Sequence, residues 1–112
     1  MASTYKNGEK GQRPWGSWEV VKTDDSYCLK RLVLSPNSQI SVQRHQHRSE
    51  TWIITRGTGK VRIEEQTFVA NTGDIFNIEK MEIHQLMSGP EGLEVIELQT
   101  GELLDEKDIE RF

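Results

Sequence analysis

Apolar residues along this chain recur in short alternating runs, almost nowhere with the spacing of an amphipathic helix. The first run is Ser17-Trp18-Glu19-Val20-Val21. The second spans Tyr27 to Leu34 and stops at the turn Ser35-Pro36-Asn37-Ser38. Ile40 to His47 and Glu50 to Thr55 follow, then a glycine turn at Arg56-Gly57-Thr58-Gly59 and a run from Lys60 to Glu64. Thr67 to Val69, Asp74 to Ile78, His84 to Met87 and Leu93 to Gln99 complete the series. Turn residues separate β-branched and aromatic runs at the roughly 8–12-residue intervals of a sandwich or barrel, so the pattern predicts an all-β domain. The acidic end, Glu102 to Phe112, has room for one helical turn. Residues 1–12 are polar, contain Gly8 and Gly11, and show no hydrophobic period. They read as a flexible tail or a loosely pairing arm, with 13–112 as the folded domain.

Composition narrows the picture. A chain of 112 residues fits one domain able to bury a core without disulfides. The net charge of −4 and the lack of a basic stripe argue against a nucleic-acid partner. Lys30-Arg31 is the only basic doublet of note, and strand neighbours face opposite ways. No continuous apolar stretch suits a secretory signal or a bilayer span. The single Cys28 has no internal partner, so it reads as a buried small hydrophobe and the setting as a reducing cytoplasm.

The chemistry concentrates in the histidines, of which there are three. In Gln43-Arg44-His45-Gln46-His47-Arg48-Ser49-Glu50, positions 43, 45 and 47 share a face if the segment is a strand. A tight turn at Arg48-Ser49 would put Glu50 on the next strand, across from the histidines. The alternative for Glu50 is a surface pair with Arg48 or Lys60. His84 follows a Gly73-Asp74 turn signal, and a closed barrel brings strands distant in sequence to one lumen. Imidazoles beside a carboxylate suit a divalent first-row metal.

The spacing His45-x-His47-x-x-Glu50, with six residues to Gly57, resembles the first motif of the cupin superfamily. Gly73-Asp74 leading to His84 resembles the second. Within that superfamily, Arg13-Pro14-Trp15-Gly16-Ser17-Trp18-Glu19 is similar to the opening of the type II mannose-6-phosphate isomerase domain. The stretch Ile40 to Trp52 resembles that family's metal-site segment, and Ile96 to Leu104 and Glu106 to Phe112 resemble its closing segments. The resemblance spans Arg13 to Phe112 and implies a single-domain double-stranded β-helix, the jelly-roll barrel of cupins. It implies His45, His47, Glu50 and His84 as metal ligands, with Gln43 as a further candidate. The metal implied is zinc first, with manganese, iron and nickel also compatible with the ligand types.

The family interconverts mannose 6-phosphate and fructose 6-phosphate, and often occurs fused behind a mannose-1-phosphate guanylyltransferase. The resemblance therefore implies a sugar-phosphate substrate, held by Arg48 and Arg111. Arg13 joins them as a phosphate candidate, and Gln43 and Trp52 as further substrate contacts. The proton transfer between C1 and C2 needs a base, for which Glu50 and Glu97 are candidates, Glu50 reading better as a ligand. Arg48 and Arg111 complete the candidate catalytic set. Packing is the main role expected of Trp15, Trp18 and Trp52. A homodimer through a sheet face is expected by resemblance, with Thr51 and Ile53 on the side away from Trp52. Two other functions fit the same residues: a non-catalytic metal- and sugar-binding cupin accompanying nucleotide-sugar metabolism, and a cupin metal dioxygenase. The chain departs from the family at Thr51, where a histidine is usual. It departs again at Ile78 to His84, where a proline and a glycine are usual, and at its end, Arg111-Phe112.

Overall fold

A computed structural model describes residues 3–112; Met1 and Ala2, the start of the segment read as a tail, lie outside the described residues. The strands are β1 (Lys10–Arg13), β2 (Gly16–Thr23), β3 (Tyr27–Leu34), β4 (Gln43–Arg44), β5 (Arg48–Ile63), β6 (Gln66–Asn71), β7 (Ile75–Ile78), β8 (His84–Gly101) and β9 (Glu110–Arg111). All pairings between them are antiparallel, in the order β1-β2-β3-β8-β4-β9, with β5 joining β8 to β6 and β7. No helix occurs among the described residues, so none is long and apolar enough to cross a membrane. The all-β expectation holds.

Two strands are longer than the sequence pattern suggests. Glu50 to Thr55 and Lys60 to Glu64 merge into β5, and His84 to Met87 and Leu93 to Gln99 merge into β8. Their shared ladder bends at register shifts beside Ile54/Arg56 and Gly57/Gly59 instead of breaking. Gly57 makes the bend feasible, with φ of 85° and no room for a Cβ against the Gly92 carbonyl oxygen. The glycines read as a turn between two runs are therefore a corner within one strand. Past this corner, the first part of β8 pairs with β4, and the second part with β3.

The inner face of the curled sheet is layered. Trp18, Leu32, Val95 and Ile54 align across β2, β3, β8 and β5, all buried. The next level reads Val20, Lys30, Glu97 and Trp52, and the one beyond it Cys28, Gln99 and Glu50. An apolar end thus grades into a polar end within one barrel. Full burial of a residue such as Ile54 contributes roughly 1.5–3 kcal/mol, which sets the scale of what holds the polar level in place.

Residues 3–12, which the sequence offers as a flexible tail or a loosely pairing arm, run along the barrel. Ser3 bridges Leu104, Tyr5 is buried in the core, and β1 pairs with β2. One apolar ring in an otherwise polar stretch anchors it, a signal too small for any periodicity to register. The acidic end likewise forms no helix. It has a hydrogen-bonded turn in which the Asp108 N–H donates to the Asp105 carbonyl at 3.1 Å, then β9. Cys28 is fully buried, as its strand position predicts.

Candidate metal centre

Three buried side chains, His45, Glu50 and His84, bring their ligand atoms within 4.8 Å of one another. Glu50 points inward because β5 alternates, with Arg48, Glu50, Trp52 and Ile54 all buried. His84 opens β8 and stands level with Gln43 of β4 and Arg111 of β9. The loop before His84, lacking the usual proline and glycine, is held by other means. Met81 takes a left-handed φ of 69°, its N–H donates to the His45 carbonyl at 2.8 Å, and the Ile83 N–H donates to Glu64 Oε1 at 3.2 Å.

The hydrogen bonds set the tautomers. His45 Nδ1 lies 2.7 Å from the Asp108 carbonyl and His84 Nδ1 lies 2.8 Å from the Glu82 carbonyl, so each Nδ1 carries the proton and donates. Both Nε2 lone pairs then face Glu50, at 3.2 Å from Oε2 for His45 and 3.7 Å from Oε1 for His84. His84 Nε2 is buried with no hydrogen-bond partner. Arg48 compensates the His45 and Glu50 Oε2 side of this cluster, which leaves the His84 lone pair as the buried ligand atom without a partner. Gln43 lines the same cavity beside His84, and its amide nitrogen donates to the Ser41 carbonyl at 3.2 Å. The cluster of three fits a divalent metal: neutral imidazoles braced through Nδ1 and a carboxylate.

His47 does not join it. Its ring is half-exposed, and Nδ1 meets Glu102 Oε1 at 3.1 Å. The chain turns at Gln46-His47, whose N–H groups donate to the two carboxylate oxygens of Asp108 at 3.0 Å each. That turn ends the alternation after His45 and restarts it at Arg48. The same-face pair on the first strand is therefore Gln43 and His45, not His45 and His47.

Arg48 is buried and committed. Its Nε donates to Glu50 Oε2 at 2.9 Å, Nη1 to the Asp105 carbonyl at 2.9 Å, and Nη2 lies 3.5 Å from His45 Nε2. Burial alone would raise the Glu50 carboxyl, but the Arg48 guanidinium and a hydrogen bond from Glu97 outweigh it and hold Glu50 below its usual range. Glu97 goes the other way, raised first by burial and then by the Glu50 charge. Trp52 Nε1 and Gln99 Nε2 each donate to it, on different oxygens, at 3.2 Å. Two neighbouring carboxyls pushed apart are suited to different tasks, Glu50 to ligation and Glu97 to carrying a proton.

Burial first, then the Arg48 charge, lowers His45 from 6.5 to about 4. The folded ring binds fewer protons than the unfolded one, so this contribution to stability is present above 6.5 and is lost as the pH falls through 4. Glu97 acts in the opposite sense, its contribution being lost as the pH rises above the ordinary carboxylate range. Metal-free protein is expected to lose about 3 kcal/mol through His45 across that acid window. Urea titrations of wild type and His45→Asn between pH 6.5 and 4 measure the share as the difference between their slopes.

A cavity of about 350 Å³ opens from this centre. Gln43, Trp52, Glu97, Arg13 and Arg111 line it, as the sequence reading expects of site residues, and Arg48, Glu50 and His84 form its deep part. Arg13 and Arg111 are exposed, while Arg48 is not available at the surface. Thr51 faces outward, its Oγ1 donating to Asn77 Oδ1 at 2.9 Å, so that departure from the family leaves the cavity wall untouched. The sequence reading missed Lys30, which lines the cavity, and Asp108, which braces His45 and the turn after it. The signal for Lys30 was present: it shares the inward register of Cys28, Leu32 and Leu34.

A curled antiparallel barrel with inward histidines and a carboxylate defines a cupin domain, and solved structures agree on the fold. The chain superposes on oxalate decarboxylase from Bacillus subtilis with a TM-score of 0.82 at 15% identity, covering 94% of this chain and 30% of that one. A cupin-2 domain from Rhodospirillum rubrum gives 0.71 at 20% identity, covering 82% and 67%. Residues 2–112 match the family described as mannose-6-phosphate isomerase C-terminal, and the chain belongs to that family. It is 39% identical over 101 residues to the alginate biosynthesis protein AlgA of Pseudomonas syringae pv. tomato, covering 89% of this chain and 21% of the relative. It is 34% identical over 109 residues to the mannose-1-phosphate guanylyltransferase RfbM of Salmonella typhimurium, covering 96% and 23%. The chain thus spans about a fifth of the length of these curated relatives.

Proposed function

We propose that this domain is a metal-dependent aldose–ketose isomerase that interconverts mannose 6-phosphate, or a related sugar phosphate, and fructose 6-phosphate. The observation that carries the reading is the meeting of His45, Glu50 and His84 beside a second buried carboxyl, Glu97, in one cavity. The family match supports the choice of substrate class. A divalent metal held by His45, Glu50, His84 and Gln43 would supply Lewis acidity toward negative charge developing on a substrate oxygen.

The protein's own residues account for the rest. Glu97 moves the proton between C1 and C2, with Trp52 and Gln99 fixing its orientation and with burial and the Glu50 charge raising its carboxyl above the ordinary range. Arg13 and Arg111 at the mouth recruit the phosphate, since neither has a carboxylate partner among the described residues. Arg48 holds Glu50 and the end of the chain in place instead of reaching for substrate. The homodimer and the cytoplasmic setting expected from the sequence belong to this proposal too. Outward-facing Ile53 and Ile75, which pair across β5 and β7, supply the apolar contact for a second copy.

Metal-loaded protein is expected to form fructose 6-phosphate from mannose 6-phosphate in a coupled assay. Glu97→Gln is expected to lower kcat by roughly 10²–10⁴-fold with metal content unchanged. Binding of the sugar phosphate without turnover would replace this reading with the non-catalytic one, and oxygen uptake with an added substrate would favour the dioxygenase.

A further inference from the structure

The cavity wall contains a cation that the isomerase reading leaves without a task. Lys30 is 4% exposed, a rare degree of burial for a lysine, and it projects from β3 into the space shared by the candidate metal centre and Glu97. Its ammonium lies 4.7 Å from the Tyr5 ring centroid and 4.6 Å from that of Trp18. Arg13 approaches the same Trp18 ring, at 5.7 Å, and lines the same cavity. One indole therefore carries two cations, one interior and one at the mouth. The ion-pair partner of Lys30 is Glu106, at 2.6 Å, a half-exposed carboxylate in the irregular segment before β9. By contrast, each nitrogen of the neighbouring Arg48 is already engaged.

We propose that Lys30 is the interior half of a phosphoryl subsite, paired with Arg13, and that Glu106 is a stand-in carboxylate which an incoming anion displaces. The inference rests on the sugar-phosphate reading for its natural ligand, but the subsite itself needs only a phosphoryl group. Its position suits a substrate whose charge is remote from its reacting carbons. Lys30 lies on β3 and Glu50 on β5, with β8 between them, and two strand spacings amount to roughly 10 Å. A sugar spanning that distance would lie along Glu97 and Trp52, which share the Lys30 level. Glu106 is suited to exchange because it sits on a half-exposed segment outside any strand, so moving it breaks no ladder. The buried ammonium then stays compensated in both states, by Glu106 when the cavity is empty and by phosphate when it is filled.

Two substitutions should move affinity in opposite directions, which a purely structural ion pair would not do. Inorganic phosphate, titrated calorimetrically into metal-free protein, is expected to bind at least tenfold more weakly to Lys30→Met than to wild type. It should bind threefold or more tightly to Glu106→Gln, because the competing carboxylate is gone. Phosphate should also raise the unfolding midpoint of Glu106→Gln more than that of wild type. Lys30→Arg keeps the charge and is expected to retain most of the affinity, which covers the case of a Lys30→Met protein that folds poorly. In the metal-loaded protein, Lys30→Met should raise KM for mannose 6-phosphate more than it lowers kcat. Phosphate binding with this pattern but no turnover would uphold the subsite and remove the isomerase reading. Wild-type phosphate affinity in Lys30→Met, or weaker binding in Glu106→Gln, would overturn the proposal.

Discussion

Replacing His45 with alanine is expected to strip divalent metal from the protein, whereas replacing His47 should leave the full complement in place. The two rings are two residues apart, yet only His45 turns its Nε2 toward Glu50 and His84, while His47 lies half-exposed against Glu102. Loss of an outer partner of a metal ligand typically costs about 10–100-fold in affinity, and loss of the ligand itself should cost more. Plasma mass spectrometry on protein dialysed against dilute chelator gives the answer directly. Metal lost from His47→Ala, or retained by His45→Ala, would sink the ligand set.

The second large effect concerns stability. Arg48→Met is expected to destabilise the protein by about 3–5 kcal/mol, the range seen when one partner of a buried ion pair is removed. Glu50 is nearly inaccessible, and among the described residues Arg48 is the one cation within ion-pair distance of it, since the two imidazoles are neutral. The substitution leaves that charge uncompensated and unties the Asp105 carbonyl. Lysine should not rescue the loss, because a single ammonium cannot reproduce the divergent bonds to Glu50 and Asp105. Urea midpoints read both results. Near-wild-type stability with lost activity would return Arg48 to the substrate-binding role that the family resemblance implies.

How far the sequence carried these conclusions depends on the range of the forces involved. Alternation within a strand is local, so the β character, the inward course of Glu50 and Trp52 and the burial of Cys28 were legible. The parity of His47 was not, because Asp108, about sixty positions later, grips the backbone of Gln46 and His47 and turns the chain there. The corner at Gly57 read as a turn between two strands for a similar reason: its continuity is imposed by β8, not by its own residues. Gln43 stood as an extra candidate ligand; the ladder that sets it beside His84 makes it a member of the cluster's wall. The role of Lys30 depends on Tyr5, Trp18 and Glu106 closing over it, from three separate parts of the chain.

The long strand β8 has a consequence for when the candidate metal centre can form. It pairs Thr100 with Tyr27 and Gly101 with Arg48, joining segments that lie far apart in the sequence. Contacts of that sequence separation form slowly, after the entropy of closing the intervening chain has been met. Until β8 docks, Gln43, His45 and Glu50 have neither His84 nor the wall that aims them. A metal held by this cluster would therefore be captured late in folding, after the barrel has closed, and would not template it.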